Sequence, residues 1–241
     1  MKIVIPTCDK YLHAVECLLH TIDKFWKPDD QVVVLGYKEP EYELKENHTF
    51  ISLGVDRGPQ FWTNDLASYL KSIEDEYFIL ANDDTVILQR VDKDYLNHLE
   101  NLMREDDIVR MSLTEACSIH PHTSYKSFED HSIVMANQDA PYRIGLQWGI
   151  FKTEYLLKYL IPNHTPWHLE GPLARLTLND GAKICSTKGK MPIGIGHMYK
   201  KYQLQNDWHV NFRNCDGWEE PSMDSETKKE VEQILSRHGR L

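Results

Sequence analysis

The sequence predicts an α/β domain with a mostly parallel, Rossmann-like sheet, helices on both of its faces and a further helix near the C-terminus. In the first half of the chain, short β-branched runs alternate with stretches of helical hydrophobic spacing, and this order is typical of consecutive βαβ units. The length of 241 residues suits one domain, and a hydrophobic fraction of 41% is enough to fill a core. Strands are predicted at 2–6, 31–35, 49–53 and 77–81, and helices at 11–26 and 59–73.

The second half of the chain is less regular. Its predicted strands are 86–88, 108–113 and 191–195, and its predicted helices are 95–103, 152–160 and 169–178. The polar stretch 115–131 is rich in His and Ser, which predicts a long loop of the kind that often carries function. A closing helix is predicted around the apolar positions Val231 and Leu235, with Thr227 and Glu230 as its capping box.

The formal net charge of -10 bears on possible partners. An acidic field repels phosphate backbones at long range, so non-specific nucleic-acid binding is disfavoured. A basic stretch near the C-terminus suits either a diphosphate or another anionic group, or simply a solvated surface. It consists of Lys188, Lys190, Lys200, Lys201 and Arg213.

The cysteines and the hydropathy of the sequence bear on the cellular compartment in which the protein is expected. Five cysteines, widely spaced and without a C-x-x-C pair, predict neither a disulfide scaffold nor a zinc site. The chain opens on strand-like residues without the features of a signal peptide, and no apolar run approaches the ~20 residues that a membrane span needs. We therefore expect a cytoplasmic protein and interpret the sequons at Asn47 and Asn163 as chance matches.

The strongest local signal is the segment 77–88, in which an apolar strand ends in Asn82, Asp83 and Asp84. Such a strand delivers adjacent carboxylates to the carboxyl edge of a sheet, where open α/β folds bind ligands. The two carboxylates repel each other, and Mg²⁺ or Mn²⁺ would relieve the repulsion while filling its other positions with phosphate oxygens and water. The alternative interpretation is a turn between two strands, because Asn-Asp-Asp is also good turn chemistry.

In this segment the sequence resembles the GT-A glycosyltransferases that use nucleotide-sugars, and among them the family 2 enzymes of bacterial or phage type. Their D-x-D motif ends a strand in the same way, and Asn82 stands where the motif has its first Asp. The resemblance implies that Asp84 binds Mn²⁺ or Mg²⁺, while Asn82 or Asp83 holds the donor ribose or a metal-bound water. The Asn leaves one less charge at the metal, which predicts weaker metal binding.

The segment 3–9 resembles the first strand and nucleotide-binding turn of the same enzymes. The resemblance implies that Pro6, Thr7 and Asp9 bind the donor. One departure lies on the neighbouring strand, which ends in Gly36-Tyr37 where many family members place an acidic residue for the nucleotide base.

The segment 58–66 resembles the stretch before the third helix of these enzymes, which lies close to the donor. The resemblance implies that Trp62, Asn64 and Asp65 bind the donor as well. The alternative interpretation makes Trp62 a core aromatic and residues 63–65 a helix N-cap.

The segments 145–152 and 166–172 resemble the acceptor half, in which a strand precedes a helix that presents a carboxylate beneath the sugar. The resemblance implies that Glu170 is the general base, which removes the proton of the acceptor hydroxyl in an inverting transfer. The alternative interpretation is that Glu170 caps the following helix or hydrogen-bonds the acceptor. The residues expected to contact the acceptor are Trp148, Trp167 and His168. The two tryptophans are suited to stacking on sugar faces, and the alternative interpretation is that either one belongs to the core.

The segment 194–199 resembles the place of the second metal ligand in many GT-A enzymes. The resemblance implies that His197 is this ligand, since imidazole is accepted beside oxygen donors. The chain has twelve histidines, so the alternative is an ordinary histidine.

The resemblance covers about residues 1–200 and divides one GT-A domain into a donor half (1–112), an acceptor half (113–200) and a C-terminal extension with its helix (201–241). It predicts an enzyme of the EC 2.4 type that transfers a sugar from a nucleotide-sugar, expected to be UDP-linked, to a hydroxyl acceptor such as a surface glycan. The sequence has no Q-x-x-R-W motif, which argues against a processive, membrane-embedded synthase.

Three other functions stay open at this point. A glycosyltransferase acting on hydroxylated bases of phage DNA is favoured by the basic stretch and disfavoured by the net charge. A nucleotidyltransferase shares the sheet and a metal-bound Asp, but it should carry a Gly-rich loop at 6–10, where no glycine occurs. A non-catalytic binding module explains the many aromatic residues but leaves the acidic strand end unexplained.

Overall fold

The computed structural model describes residues 1–27, 29–114, 121–200, 203–205, 208 and 222–241, with the backbone alone for Lys200. Within these residues the strands, numbered along the chain, are β1 (Lys2–Pro6), β2 (Val32–Gly36), β3 (His48–Ser52), β4 (Tyr77–Leu80), β5 (Thr85–Ile87), β6 (Ile108–Ser112), β7 (His122–Phe128), β8 (His131–Ala136), β9 (Gly149–Lys152), β10 (Lys183–Lys188), β11 (Ile195–His197), β12 (Tyr199–Lys200) and β13 (Gln203–Leu204). The α-helices are α1 (Leu12–Phe25), α2 (Trp62–Leu70), α3 (Lys93–Asp106), α4 (Thr153–Tyr159), α5 (Pro166–Glu170) and α6 (Ser225–Arg237).

One large sheet organises the described residues, with its strands in the order β3-β2-β1-β4-β9-β6-β10-β8-β7. The first four strands are parallel to one another, and β6 is parallel to β10. Only β8 and β9 run against the direction of the other strands of this sheet. The predicted α/β fold with a mostly parallel sheet is confirmed.

Both faces of the sheet are buried at its centre, and alternate residues of β1 show how. Ile3 and Ile5 belong to the hydrophobic cluster that includes α1 and α3, whereas Val4 belongs to the cluster that includes α2 and α4. Successive side chains of a strand point to opposite faces, so an unbroken apolar run is what a strand between two helical layers requires. This explains why the short run at 2–6 predicts a buried strand so well.

The direction in which the chain crosses the sheet reverses at β1. From β1 the chain moves outward to β2 and β3, and then returns to β4 on the other side of β1. Ile5 is therefore in register with Val34 of β2, while Val4 is in register with Leu80 of β4. Such a reversal leaves a crevice at the carboxyl ends of the two inner strands, which is where open α/β sheets bind ligands.

Two sequence predictions in the second half are wrong. The predicted loop 115–131 contains β7, which pairs with β8 through a tight turn at Glu129, where φ is 51°. The side chains of β7 are exposed or half-buried at the sheet edge, so the strand has the polar sequence that is typical of a loop. Residues 115–120 of the predicted loop lie outside the described residues. The predicted helix 169–178 is divided, because α5 ends before Gly171-Pro172 and a 3-10 turn, Leu173–Thr177, follows.

The predicted closing helix is present as α6 and packs on α1. Its N-cap is Asp224, whose side chain accepts hydrogen bonds from the backbone N–H groups of Glu226 and Thr227, so the predicted capping box is wrong. Glu230 instead accepts a hydrogen bond from Lys24 of α1, at 2.6 Å. None of the helices in the described ranges is long and apolar enough to cross a membrane.

A buried arginine joins three loops beside the acceptor-half strands. The Arg143 side chain has no exposed surface, and it donates hydrogen bonds to the carbonyl oxygens of Asn137, Thr177 and Ala182 at 2.9 Å each. It also forms an ion pair with Asp180 at 3.0 Å. Because these partners lie after β8 and before β10, a single guanidinium fixes how the chain leaves one strand and enters the other.

We expect Arg143→Met to lower the free energy of unfolding by about 3–5 kcal/mol, because it leaves the buried Asp180 carboxylate without its ion pair. Urea unfolding followed by circular dichroism measures the change. Arg90→Met is the matched control on the exposed surface and should stay within about 0.5 kcal/mol of the parent. A loss below about 1 kcal/mol for Arg143→Met would show that the network contributes little.

Candidate active site

Three neighbouring strands end together at one edge of the sheet. Thr7 follows β1, Tyr37 follows β2, and Asp83 and Asp84 follow β4. These side chains line a cavity of about 570 Å³, which we call the strand-edge cleft. Its lining residues are Pro6, Thr7, Cys8, Lys10, Tyr11, Tyr37, Asp56, Gly58, Pro59, Trp62, Asp83, Asp84, Pro166, Trp167 and Tyr199.

Asp83 and Asp84 form an acidic pair at the reversal point between β1 and β4. The Thr7 hydroxyl donates a hydrogen bond to the Asp83 carboxylate at 2.8 Å, which joins the two strand ends. Burial and the adjacent Asp84 raise the pKa of Asp83 to about 7, although the bond from Thr7 opposes the shift. The site therefore concentrates more negative charge than its surroundings stabilise, and a cation would relieve it.

His197 lies beside this pair because β11 is antiparallel to β5. In that pairing His197 is in register with Thr85, and the Met198 N–H donates to the Asp84 carbonyl at 2.9 Å. Burial raises the pKa of Asp84 and the charge of His197 lowers it, while burial lowers the pKa of His197 and Asp84 raises it. The structure thus brings together the two residues predicted to bind a metal ion.

The chemistry of these donors fits a metal ion that is shared with a phosphate ligand. Within the described ranges, no group of three or more His, Cys, Asp or Glu side chains is placed to hold a metal ion alone. Mg²⁺ and Mn²⁺ at nucleotide sites need only one or two protein carboxylates, because phosphate oxygens and water complete the shell. Asp84 and His197, with Asp83 beside them, match that requirement. In addition, Asn82 Oδ1 is buried without a hydrogen-bond partner in the described structure.

The residues predicted to bind a donor fall into two groups. Pro6, Thr7 and Trp62 line the strand-edge cleft together with Asp83. Asp9, Asn64 and Asn82 do not line it. Asp9 accepts a hydrogen bond from the Lys38 N–H at 3.0 Å, and Asn64 accepts one from the Asn163 N–H at 2.6 Å.

Asp65 does not line the cleft either, and it lies behind the cleft wall. Its side chain is 7% exposed, and each of its oxygens is engaged. Tyr37 donates to Oδ2 at 2.9 Å, and Arg57 donates to Oδ1 at 2.5 Å. Asp65 therefore contacts one residue of the cleft lining, Tyr37, and one residue of the neighbouring loop, Arg57.

The two tryptophans predicted to contact an acceptor have opposite environments. Trp148 is 1% exposed, and its indole N–H donates to the Thr85 hydroxyl at 3.0 Å. The expectation that Trp148 stacks on a sugar is therefore wrong, because both faces of its ring are packed in the core. Trp167 is 59% exposed at the rim of the cleft, and neighbouring His168 forms a capping box with Thr165 at the start of α5.

Glu170 lies three residues beyond Trp167 but lines a different cavity. Its Oε1 accepts a hydrogen bond from the Leu146 N–H at 2.7 Å. Burial raises the pKa of Glu170, and the bond from Leu146 and the charge of buried Arg110 lower it. The cavity that it lines has a volume of about 500 Å³ and also includes Tyr142. The assignment of Glu170 as general base stays a prediction.

Several residues that line the cleft were not predicted from the sequence to bind a ligand. Tyr199 closes one side of the cleft, and its hydroxyl is 2.6 Å from the ring nitrogen of His13. Tyr11 lies against it, with the ring centroids 5.4 Å apart. Asp56 orders its own loop by accepting from the Gly58 N–H at 2.8 Å. Only the position of Tyr37 at a strand end is a sequence signal, because its neighbours reach the cleft through tertiary contacts.

The predicted basic stretch is only partly described. Lys190 lies 3.3 Å from Asp130 in an exposed ion pair, and neither Lys190 nor Lys188 lines the strand-edge cleft. Lys201, Arg213 and the side chain of Lys200 lie outside the described residues.

Comparison with known proteins supports the fold. No protein-family model and no curated protein matches the chain. Among solved structures, TarS 1–349 of S. aureus is similar, with a TM-score of 0.51 and 16% identity over 80% of this chain and 59% of that one. The same protein in complex with UDP-GlcNAc gives 0.50 and 16% over 80% and 57%, and in complex with UDP it gives 0.50 and 13% over 98% and 64%. The chain thus spans less than two thirds of these proteins, and the likeness shows a shared fold.

The difference in burial between Trp148 and Trp167 predicts a difference in how much each side chain contributes to the free energy of unfolding. Trp148→Ala should lower the free energy of unfolding by about 3–5 kcal/mol, because it leaves a large cavity and removes the hydrogen bond that the Thr85 hydroxyl accepts. Trp167→Ala should change it by no more than about 0.5 kcal/mol, since most of that ring is in water. Chemical denaturation of both variants provides the comparison, and equal losses would contradict the assignment.

Proposed function

We propose that the protein is a metal-dependent glycosyltransferase, which moves a sugar from a nucleotide-sugar to a hydroxyl group of an acceptor. The observation that carries the proposal is the acidic pair Asp83-Asp84 beside His197, at the reversal point of the sheet and inside a cleft of about 570 Å³. The shared fold with a protein solved in complex with UDP-GlcNAc supports a nucleotide-sugar, and a UDP-linked one in particular, as the donor.

The dimensions of the strand edge suit a nucleoside diphosphate. Neighbouring strands lie about 4.8 Å apart, so the ends of β2 and β4 are roughly 10 Å from each other across β1. A diphosphate at Asp84 then leaves the nucleoside to extend past Thr7 toward Tyr37. The sugar would lie on the other side of the diphosphate, near the exposed ring of Trp167.

Charge at the diphosphate is the main chemical problem in this reaction. Mn²⁺ or Mg²⁺ held by Asp84 and His197 would neutralise the charge that develops on the leaving diphosphate. Asp83 orients this arrangement through its bond to Thr7, and the partial burial of the pair strengthens every interaction there. The protein's own part is therefore to hold two carboxylates and an imidazole at one strand end.

The proposed acceptor is a glycan, such as one found at a bacterial surface. An exposed tryptophan at the rim of a cleft is suited to stacking on a sugar ring, whereas Lys188 and Lys190 lie away from the cleft lining. For the part of the basic stretch that the structure describes, this distribution favours a glycan over DNA as the acceptor. A cytoplasmic site of action remains part of the proposal.

Asp84→Asn should reduce turnover by about 100-fold or more, because it weakens the charge that holds the metal ion. The measurement is release of free UDP from a panel of UDP-sugars in the presence of Mn²⁺. The thermal midpoint should stay at or above that of the parent, since the variant removes charge repulsion. Asp94→Asn, on the exposed side of α3, is the control and should keep full activity.

The same assay tests the second ligand. His197→Ala should shift the Mn²⁺ dependence to higher concentration, while activity recovers when Mn²⁺ is in excess. Full activity of Asp84→Asn in excess chelator would contradict the metal assignment, and an unchanged Mn²⁺ titration for His197→Ala would remove His197 from it.

Glu170→Gln tests the proposed general base. If Glu170 takes the acceptor proton, kcat should fall by ~10²–10⁴-fold with little change in donor KM, because the carboxylate acts in the transition state. Gln retains an oxygen for the Leu146 N–H, so the fold should survive the change. Near-normal transfer by this variant would leave Glu170 the role of holding the loop before β9.

A further inference from the structure

Arg110 of β6 is a buried cation whose hydrogen-bonding groups are mostly unpaired. The residue is 1% exposed, and neither Nε nor Nη1 has a hydrogen-bond partner in the described structure. The equally buried Arg143, in contrast, is bonded to three carbonyl oxygens and paired with Asp180. Burying a charge without such partners opposes folding. Hydrogen bonding in the core therefore accounts for Arg143 but not for Arg110.

The segment Gly145-Leu146 connects Arg110 to Glu170. Arg110 Nη2 lies against Gly145, 3.2 Å from the position that a Cβ would take there. The next residue, Leu146, donates its backbone N–H to Glu170 Oε1 at 2.7 Å. The guanidinium and the carboxylate thus contact consecutive residues of one chain segment, and the lack of a side chain at position 145 allows the close approach of the guanidinium.

The charges of Arg110 and Glu170 act on each other in the interior of the protein. Burial raises the pKa of Glu170, whereas the bond from Leu146 and the charge of Arg110 lower it. In the other direction, burial lowers the pKa of Arg110 to about 10, and the charge of Glu170 raises it. Arg110 therefore stays charged at neutral pH and favours the carboxylate form of Glu170.

The other titratable groups around Glu170 are exposed or uncharged. Water screens the charges of the exposed ones, which are the cavity residues Asp139, Tyr142 and Arg175 and, on α5 itself, His168. On α4, the buried Tyr155 stays uncharged, because burial raises its pKa and its hydroxyl donates to Asp180 at 2.8 Å. Arg110 is thus the buried charge that acts on Glu170.

Building on the proposed function, we propose that Arg110 is a positioning residue for the general base, a buried cation that holds Glu170 as a carboxylate and leaves its Oε2 to the acceptor. Leu146 engages Oε1, and no described residue forms a hydrogen bond with Oε2. The proton of the acceptor hydroxyl passes to Oε2 while the new bond from the acceptor oxygen to the sugar carbon forms and the bond to the leaving diphosphate breaks. A direct ion pair would occupy Oε2 and weaken the base, and a cation beside Gly145 avoids this.

The first measurement follows the charge of Glu170 by NMR, in the full chain labelled with ¹³C at the carboxyl carbon of the glutamate side chains. Glu170→Gln identifies the signal, because it removes it. In the parent protein Glu170 should be a carboxylate at pH 7. In Arg110→Met the midpoint of its titration should move to higher pH by about one pH unit or more, because the opposite charge is lost. Arg110→Lys keeps a cation and should stay closer to the parent.

Arg175→Met is the matched control. It removes an arginine from the cavity that Glu170 lines, but this arginine is exposed. Because solvent screens its charge, the midpoint of Glu170 should move by no more than about 0.3 pH units. A shift as large as that of Arg110→Met would show that the burial of Arg110 has no special effect, and would overturn the proposal.

The second measurement is the pH dependence of UDP release from the panel of UDP-sugars with Mn²⁺, in which water takes the place of the acceptor. A general base is inactive when it is protonated, so a higher pKa of Glu170 moves the acidic limb of kcat/KM to higher pH. Arg110→Met should therefore lose activity at mildly acidic pH and recover it as the pH rises. A merely structural defect would lower the rate at every pH.

The outcomes separate this inference from the proposed function. If the parent protein releases UDP from none of the UDP-sugars, the proposed function fails and the inference fails with it. If the parent is active but Glu170 is protonated at pH 7, or has the same midpoint in Arg110→Met, the inference alone is wrong. A shifted midpoint with an unchanged acidic limb would also overturn it, because Glu170 would then not be the base.

Arg110→Met should fold, since an apolar side chain of similar length replaces a buried charge that lacks hydrogen-bond partners. Circular dichroism checks this before either measurement. Loss of the fold would assign Arg110 to the stability of the sheet and would overturn its positioning role.

Discussion

The position of β1 between two parallel neighbours is the constraint on which the rest of the structure depends. Because the chain leaves β1 toward β2 and returns to β4, the ends of three strands meet at one edge, where Thr7 donates a hydrogen bond to Asp83. The unbroken apolar sequence of β1 secures this, since Ile3, Val4 and Ile5 are all fully buried between two helical layers. A fully buried part of the core therefore lies directly beneath the polar residues that follow these strands.

The polar residues that follow β4 lower the stability of the protein. The folded protein holds the proton of Asp83 more tightly than an unfolded chain would, so this group makes the fold less stable as pH rises from 3.8 to about 7. The buried Asn82 Oδ1 without a partner in the described structure adds to the same effect. Local features that oppose folding are typical of functional sites, and here they lie at the reversal point of the sheet.

The fold was predictable because its signals are local. The strands of the first half are short runs rich in β-branched, aromatic or other apolar residues, the helices have an apolar stripe, and the acidic pair follows its strand closely in sequence. From the resemblance, Asp84 and His197 are predicted to bind one metal ion, and the pairing of β5 with β11 places these two residues close together. β7 was missed because an edge strand needs few apolar residues, and polar strands are indistinguishable from loops by hydropathy alone.

The details of the site were not predictable because they depend on which face of an element is buried. Trp148 and Trp167 both stand beside glycine or proline near the acceptor half, yet one donates to Thr85 in the core and the other lies in water. Tyr37 shows the limit most clearly. Its sequence position indicates only that an expected acid is missing, whereas the structure supplies a carboxylate from α2 that polarises the phenol. The hydrogen bond between Tyr37 and Asp65 joins two elements of the fold, and no sequence pattern within either element contains it.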